Sequence, residues 1–270
     1  MMESSTRNIS LRTFLDFLGA RAMKVIDGLG AFAIFFMLAF LKIFRHKQIR
    51  EIIQQIYFIG AKSSNIVMLV GLFTGMVLGL QLFYTLAKFG AGGVLGSVVS
   101  HTLIRELGPV LTAIMITARA GSAMTAEIGI LRISEQIDSL YTMRIDPLRY
   151  LISPRIAAAI ISFPFLTAFF DLIGIFGGYL TGVLLLGVND GSYFYRIHAF
   201  VDITDIRLGF IKSLIFAVLV ATTCCYQGYF THLRTDSYGA KSVSISTTSA
   251  VVISCVMILI SDYIVTSLLI

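Results

Sequence analysis

Tryptophan is absent from this 270-residue chain, proline occurs 4 times, and charged side chains make up only 13% of it. Soluble domains carry about 25% charged residues. With 57% hydrophobic residues beside so little charge, there is not enough polar surface to cover a soluble core. The composition describes an all-α integral membrane protein instead. Cysteine is scarce as well: Cys224, Cys225 and Cys255 each lie inside an apolar run, with no CxxC or Cys/His spacing. That excludes a zinc site or a disulfide framework and leaves three small apolar residues. Neither GxxxxGK[ST], HExxH nor GxSxG occurs, so the chain is expected to hydrolyse no nucleotide through a P-loop and to be no enzyme. Four scattered histidines give no metal site, and no cofactor is expected in this chain.

What is present in excess is positive charge, a formal +6. The basic residues form no stripe with interleaved aromatics, so nucleic acid is not the expected partner. They sit between apolar runs, where orientation signals sit. The N-terminus lacks a small-residue cleavage site and does not look like a secretory signal peptide.

From Ser10, a plausible N-cap, apolar residues recur with helical spacing at Leu11, Phe14, Leu15, Leu18, Ala22, Val25 and Leu29, and Arg12, Asp16, Arg21 and Lys24 make the wet face. The run "GAFAIFFMLAFL" at 30–41 is short for a span. Basic residues flank it on both sides, Arg21 and Lys24 before, Lys42, Arg45, Lys47 and Arg50 after. It is therefore expected to lie in the interface as an elbow helix; the alternative is a sixth span over 25–41. Ile49, Ile52, Ile53 and Ile56 make a second amphipathic piece.

Five apolar runs follow, at Ile66–Leu86, Val94–Ala118, Ile156–Leu186, Leu208–Phe230 and Ala250–Ile270. Each is long enough for a transmembrane helix, and Pro164 predicts a kink in the third. Residues 1–62 hold nine Lys and Arg and 119–155 hold five, against three on the opposite side. This predicts a cytoplasmic N-terminus, a cytoplasmic 119–155 segment and a C-terminus outside.

Two features depart from plain apolar helix. "GLFTGMVLG" sets Gly71, Gly75 and Gly79 on one face, a ridge that lets another backbone approach closely. It suits either packing within the chain or a seam near a homodimer axis. In "RELGPVLTAIMITARAGSAMTAE", residues 105–127, Arg105 and Glu106 stand inside the second run, just before a Gly108-Pro109 helix breaker. A charge in hydrocarbon costs about 2.5–3.5 kcal/mol even on the lenient insertion scale. The pair is expected to belong either to a structural ion-pair network with His101 or another helix, or to a polar patch that receives a charged head group or ion.

Between the second and third runs lies "ILRISEQIDSLYTMRIDPLRY", 130–150. Ile133, Ile137 and Leu140 line one face of a predicted helix at about 130–142, and Arg132, Glu135, Gln136 and Asp138 occupy the others. The apolar stripe predicts docking into a groove of a cytoplasmic partner.

The stretch "RELGPVLTAIMITARAGSAMTAEIGILRISEQIDSL", then "IDPLRYLISPRIAA", with "GLFTGMVLGLQ" upstream, resembles the MlaE family of ABC-transporter permeases over residues 50–270. The resemblance implies a homodimer in the bacterial inner membrane that moves phospholipids between inner and outer membranes. ATP and magnesium would be bound by a separate cytoplasmic ABC ATPase. An MCE-domain substrate-binding protein and a STAS-domain regulator are the further implied partners. Arg105 and Glu106 match the family's polar pair beside the lipid cavity, and Leu78, Gln81 and Leu86 match positions lining it. Glu127, Arg132, Glu135 and Gln136 match the segment that leads into and forms the coupling helix. "YTMRIDP" departs from the glycine-containing turn common before the Asp-Pro step. The expected organisation is 1–62 as N-terminal interfacial helices and 63–270 as the permease domain. The rival expectation is an ion-coupled secondary transporter using Arg105, Glu106, Asp171 and Asp262 as relay groups.

Overall fold

The computed structural model describes residues 30–39, 49–233 and 239–269, with single positions 19, 23, 28 and 41. The predicted N-cap at Ser10, the amphipathic stretch to Leu29 and the basic residues Lys42, Arg45 and Lys47 lie outside the described residues. Within them the fold is all helix, without a strand. A short apolar helix α1 (Gly30–Ala39) precedes α2 (Ile49–Ala87), α3 (Gly92–Ile133), α5 (Leu148–Leu185), α7 (Ile203–Tyr229) and α8 (Ala240–Leu269), and these last five are long and apolar enough to cross a membrane. Two shorter α-helices among the described residues are α4 (Gln136–Thr142) and α6 (Asp190–Phe200).

The number of spans agrees with the apolar runs, but the helices do not stop where the apolar runs stop. α3 continues to Ile133, 15 residues past the predicted end at Ala118, because Ser122–Ile133 keeps the hydrogen-bonded coil going through residues of good helix propensity. α5 begins earlier than expected, at Leu148, where the Asp146 carboxylate accepts a hydrogen bond from the Leu148 amide, 3.1 Å, and Pro147 needs no donor of its own. Pro164 lies inside an uninterrupted helical segment, Ser153–Tyr179, so the predicted kink does not end the helix. The Gly108-Pro109 step likewise does not break α3. The coil widens to a π turn at Leu103–Leu107, with the Gly108 amide bonded to the Leu103 carbonyl. Pro109 then sits in the first turn of the next α segment. A local π turn is a common way for a helix to absorb a missing donor.

α1 packs Phe35 against the rings of Tyr226, Tyr229 and Phe230 at one end of α7. Ser153 donates a hydrogen bond to the Ala39 carbonyl at 3.1 Å. The described part of α1 spans 10 residues, about 15 Å of helix, and most of the rest of the 25–41 run weighed as a sixth span lies outside the described residues. α6 is capped by the Asn189 side chain, which accepts from the Ser192 amide at 3.0 Å. Its fully buried Tyr193 donates to the Ile175 carbonyl of α5 at 3.0 Å, and burial pushes that phenol's pKa up.

Backbone packs closely on backbone where α2 meets α5. Gly71, Gly75 and Gly79 face Phe170, Gly174 and Gly178. A Cβ on Gly71 would lie 2.8 Å from the Phe170 carbonyl oxygen and one on Gly79 3.2 Å from that of Gly178, while on Gly75 it would overlap the Gly174 carbonyl outright. The ridge is thus filled by the chain's own fifth helix, which leaves none of its glycines facing outward for a homodimer seam. Hydrocarbon gives no hydrophobic drive between helices, so close van der Waals packing has to supply the adhesion. Gly75→Ala is expected to force the two backbones apart at a cost of about 1–3 kcal/mol. Gly92→Ala, whose added carbon meets only the edge of Phe83 at 3.6 Å, serves as control. Thermal midpoints in detergent check this: a large drop for the first and little change for the second.

Candidate functional site

Helices α3 and α7 run side by side through Gly209. A Cβ there would strike the Ile104 carbonyl, so glycine is what allows the π turn at Leu103–Leu107 to lie directly on α7. That approach brings opposite charges together. On α3, His101 and Arg105 are one turn apart, with Arg105 Nη1 3.0 Å from His101 Nε2. Both reach Asp205 at the start of α7: Arg105 Nε lies 3.6 Å and His101 Nδ1 3.4 Å from its carboxylate. Asp205 is also fixed from its own helix, because its Oδ2 accepts from the Asp202 amide at 3.2 Å. Two turns further along α7, Lys212 projects from the same face. Its ammonium donates to Glu106 at 2.6 Å and lies 3.0 Å from Asp262 of α8.

Arg105 and Glu106, neighbours in sequence, are therefore each paired across the bundle rather than with one another. Lys212 is 3% exposed, whereas the side chains of Glu106 and Arg105 remain 39% and 25% exposed. The network has a dry anchor and an accessible rim. A niche of about 10 Å³, lined by Arg105, Glu106, Leu208, Lys212, Thr266 and Leu269, opens among α3, α7 and α8, room for no more than a water. Of the two expectations for the polar pair, an ion-pair network with His101 and other helices is present. A larger pocket of about 250 Å³ lies close by, lined by Ile104, Asp171, Ile206, Gly209 and Phe210 among others, but neither Arg105 nor Glu106 is among its lining residues. Leu78 and Leu86 pack in part against the core, and Gln81 is exposed. None of the three lines this niche.

A second charged group lies at the opposite ends of α3 and α7. Arg155, 2% exposed, pairs with Glu127 at 2.9 Å. Arg132 donates to Asp138 of α4 at 2.6 Å and to His232 Nδ1 at 3.0 Å. Burial first, and the Arg132 guanidinium next, pull the His232 imidazole below its ordinary pKa, which keeps it neutral and able to accept. The helix predicted at about 130–142 is split: α3 ends at Ile133, and Glu135 stands in the left-handed region at φ 58° before α4 begins. Ile137 is fully buried within the chain. Of the predicted stripe only Ile137 is fully covered by the protein itself; Ile133 and Leu140 are half-buried, Leu140 lines a groove of about 200 Å³ with Tyr150 and Leu151, and Glu135, Gln136 and Asp138 are exposed.

The rival expectation grouped Glu106 with Asp262 as relay groups, but sequence reasoning did not bring Lys212 to them, and it gave Asp205 no role here. The available signal was sign: a lysine and an aspartate each alone in an apolar run need counter-charges, and Glu106 supplies one. Removing one member of a buried pair leaves the other uncompensated, at about 3–5 kcal/mol. Lys212→Met is expected to lower the thermal midpoint sharply, and adding Glu106→Gln with Asp262→Asn to recover part of the loss. Melting of the purified variants in detergent measures both.

The family profile described as Permease MlaE matches residues 52–268. A probable ABC transporter permease protein of Rickettsia typhi is 36% identical over 260 residues, covering 96% of this chain and 98% of the relative. The intermembrane phospholipid transport system permease protein MlaE of Haemophilus influenzae is 40% identical over 260 residues, covering 94% and 98%. The chloroplastic protein Trigalactosyldiacylglycerol 1 of Arabidopsis thaliana is 34% identical over 218 residues, covering 81% of this chain and 61% of the relative. A match across most of the chain, on a fold of five apolar helices whose charges are paired inside the bundle, makes this protein a member of the MlaE permease family.

Proposed function

We propose that the chain is the membrane-spanning subunit of an ABC transporter that moves phospholipid between the inner and outer membranes, with ATP and magnesium bound by a separate ATPase subunit. The observation that carries this reading is the half-exposed rim of Arg105 and Glu106 on an otherwise apolar wall, tied down by a buried lysine. A guanidinium matches phosphate geometry bidentately, and apolar helix faces suit acyl chains. The relatives' names, an ABC transporter permease and an intermembrane phospholipid transport permease, support the same class. Since one copy offers only a water-sized niche at this rim, a second copy would complete a lipid-sized cavity, with Leu78, Gln81 and Leu86 of α2 along its wall.

In this reading α4 and the N-terminus are cytoplasmic and the C-terminus outside, as the nine basic residues of 1–62 and the five of 119–155 favour. There Glu127, Arg132, Glu135, Gln136 and Asp138 would meet the ATPase. An MCE-domain protein on the outer side and a STAS-domain regulator complete the assembly in this reading. The ion-coupled alternative requires titratable groups free to exchange protons or sodium; Glu106 and Asp262 are both held on Lys212, whereas Asp171 of α5, whose Oδ1 is buried without a hydrogen-bond partner, is the carboxylate of that set which favours it.

Purification with the co-encoded neighbours in mild detergent, followed by native and lipid mass spectrometry, tests the reading. Stoichiometric phospholipid with an ATPase subunit is expected. Arg105→Ala is expected to reduce retained phospholipid about tenfold, the worth of a charge-assisted hydrogen bond, and Glu106→Ala to reduce it as well. Retention unchanged in both variants removes the head-group role, and a chain isolated without ATPase or lipid favours ion coupling.

A further inference from the structure

Helix α4 is seven residues long, and its backbone joins the rest of the protein through left-handed residues at both ends, Glu135 at φ 58° and Arg144 at φ 57°. Such residues, uncommon outside glycine, make turns rather than continuous coil. A push on α4 is therefore passed on chiefly by its side-chain contacts. Two of these reach the end of α7 from distant parts of the sequence. The hydroxyls of Tyr141 and Tyr229 are 2.6 Å apart. Arg132, already bonded to Asp138 of α4, donates to His232 Nδ1 at 3.0 Å and places its guanidinium over the Tyr229 ring, 5.5 Å from the centroid.

What lies at the other end of α7 gives these contacts their meaning. From Tyr229 back to Lys212 is 17 residues, about 25 Å of helix. Over that distance α7 is uninterrupted α-helix. α3, the other route from α4 to the charge cluster, is interrupted twice by π turns, at Thr117–Gly121 and Leu103–Leu107. A regular hydrogen-bonded coil transmits an axial or rotational displacement along its length, whereas a π turn is a local irregularity at which such a displacement can be absorbed. Lys212 in turn holds Glu106 and Asp262 together, so a shift of α7 changes the spacing of three helices at one point.

We infer that the Tyr141–Tyr229 and Arg132–His232 contacts form the joint through which movement of α4 reaches the Lys212 cluster, with α7 as the connecting rod. This rests on the reading of α4 as the element that meets an ATPase. Tyr141, Tyr229 and His232 act as positioning residues: they touch neither nucleotide nor lipid, and their effect is on the yield of transport per ATP.

The test uses the complete complex in proteoliposomes, with ATP hydrolysis and transfer of a fluorescent phosphatidylethanolamine measured together. Tyr141→Phe and Tyr229→Phe each delete one hydroxyl and leave the packing in place. Each is expected to keep the ATPase bound and hydrolysing, with lipid transferred per ATP about threefold to tenfold lower. The double variant is expected to fall no further, because both singles remove the same bond. His232→Gln, which keeps an acceptor for Arg132, is expected to retain the yield that His232→Leu loses. Parental yield in either phenylalanine variant, a double variant at the product of the two singles, or equal yields for the two His232 variants would each overturn the joint. Those results leave the transporter reading standing. A parental complex that contains no ATPase overturns that reading, and the joint with it.

Discussion

A lysine ammonium removed from solvent is the constraint around which the interior is arranged. Burying Lys212 requires carboxylates from other helices beside it, since an unpaired buried charge costs several kcal/mol. Glu106 of α3 and Asp262 of α8 meet that requirement, and in doing so they fix the relative height of three helices. The rest of the network follows from the same registration. With Gly209 letting the π turn settle on α7, the Arg105–His101–Asp205 group closes two turns away. The exposed rim used for substrate in the proposed function is therefore held in place by the part of the network that no substrate touches.

Apolar run length made the five spans visible in the sequence, because twenty residues without charge have few other uses. Helix ends were not visible in the same way. α3 and α5 run on into polar sequence, where continuation depends on caps and propensity rather than on hydropathy, and nothing in the apolar pattern marked Asp146-Pro147 as the start of α5. Gly108-Pro109 predicted an irregular backbone. The outcome is milder, a π turn one residue earlier, because a helix packed on its neighbours can redistribute one missing hydrogen bond without coming apart.

At the candidate site the sequence displayed the right residues without their partners. Arg105, Glu106 and Asp262 stood out as charges in apolar surroundings, yet Glu106 and Lys212 are separated by 106 positions, and no local rule joins them. The short helix α4 shows the converse. Its apolar stripe was evident, but a stripe says only that something covers it, and Ile137 is covered by the protein itself. The tyrosine pair that ties α4 to α7 had no signal at all, as two hydroxylated aromatics 88 residues apart resemble any others.

The glycine seam between α2 and α5 has a mechanical consequence. Backbone lies against backbone there, with no side chain between that could change rotamer and take up a displacement. A contact of that kind has no soft direction short of separation. α2 and α5 thus form the stator of the molecule, and whatever rearrangement accompanies transport has to be taken up elsewhere, at contacts such as the Lys212–Glu106–Asp262 cluster, whose long side chains can stretch, tilt and exchange partners.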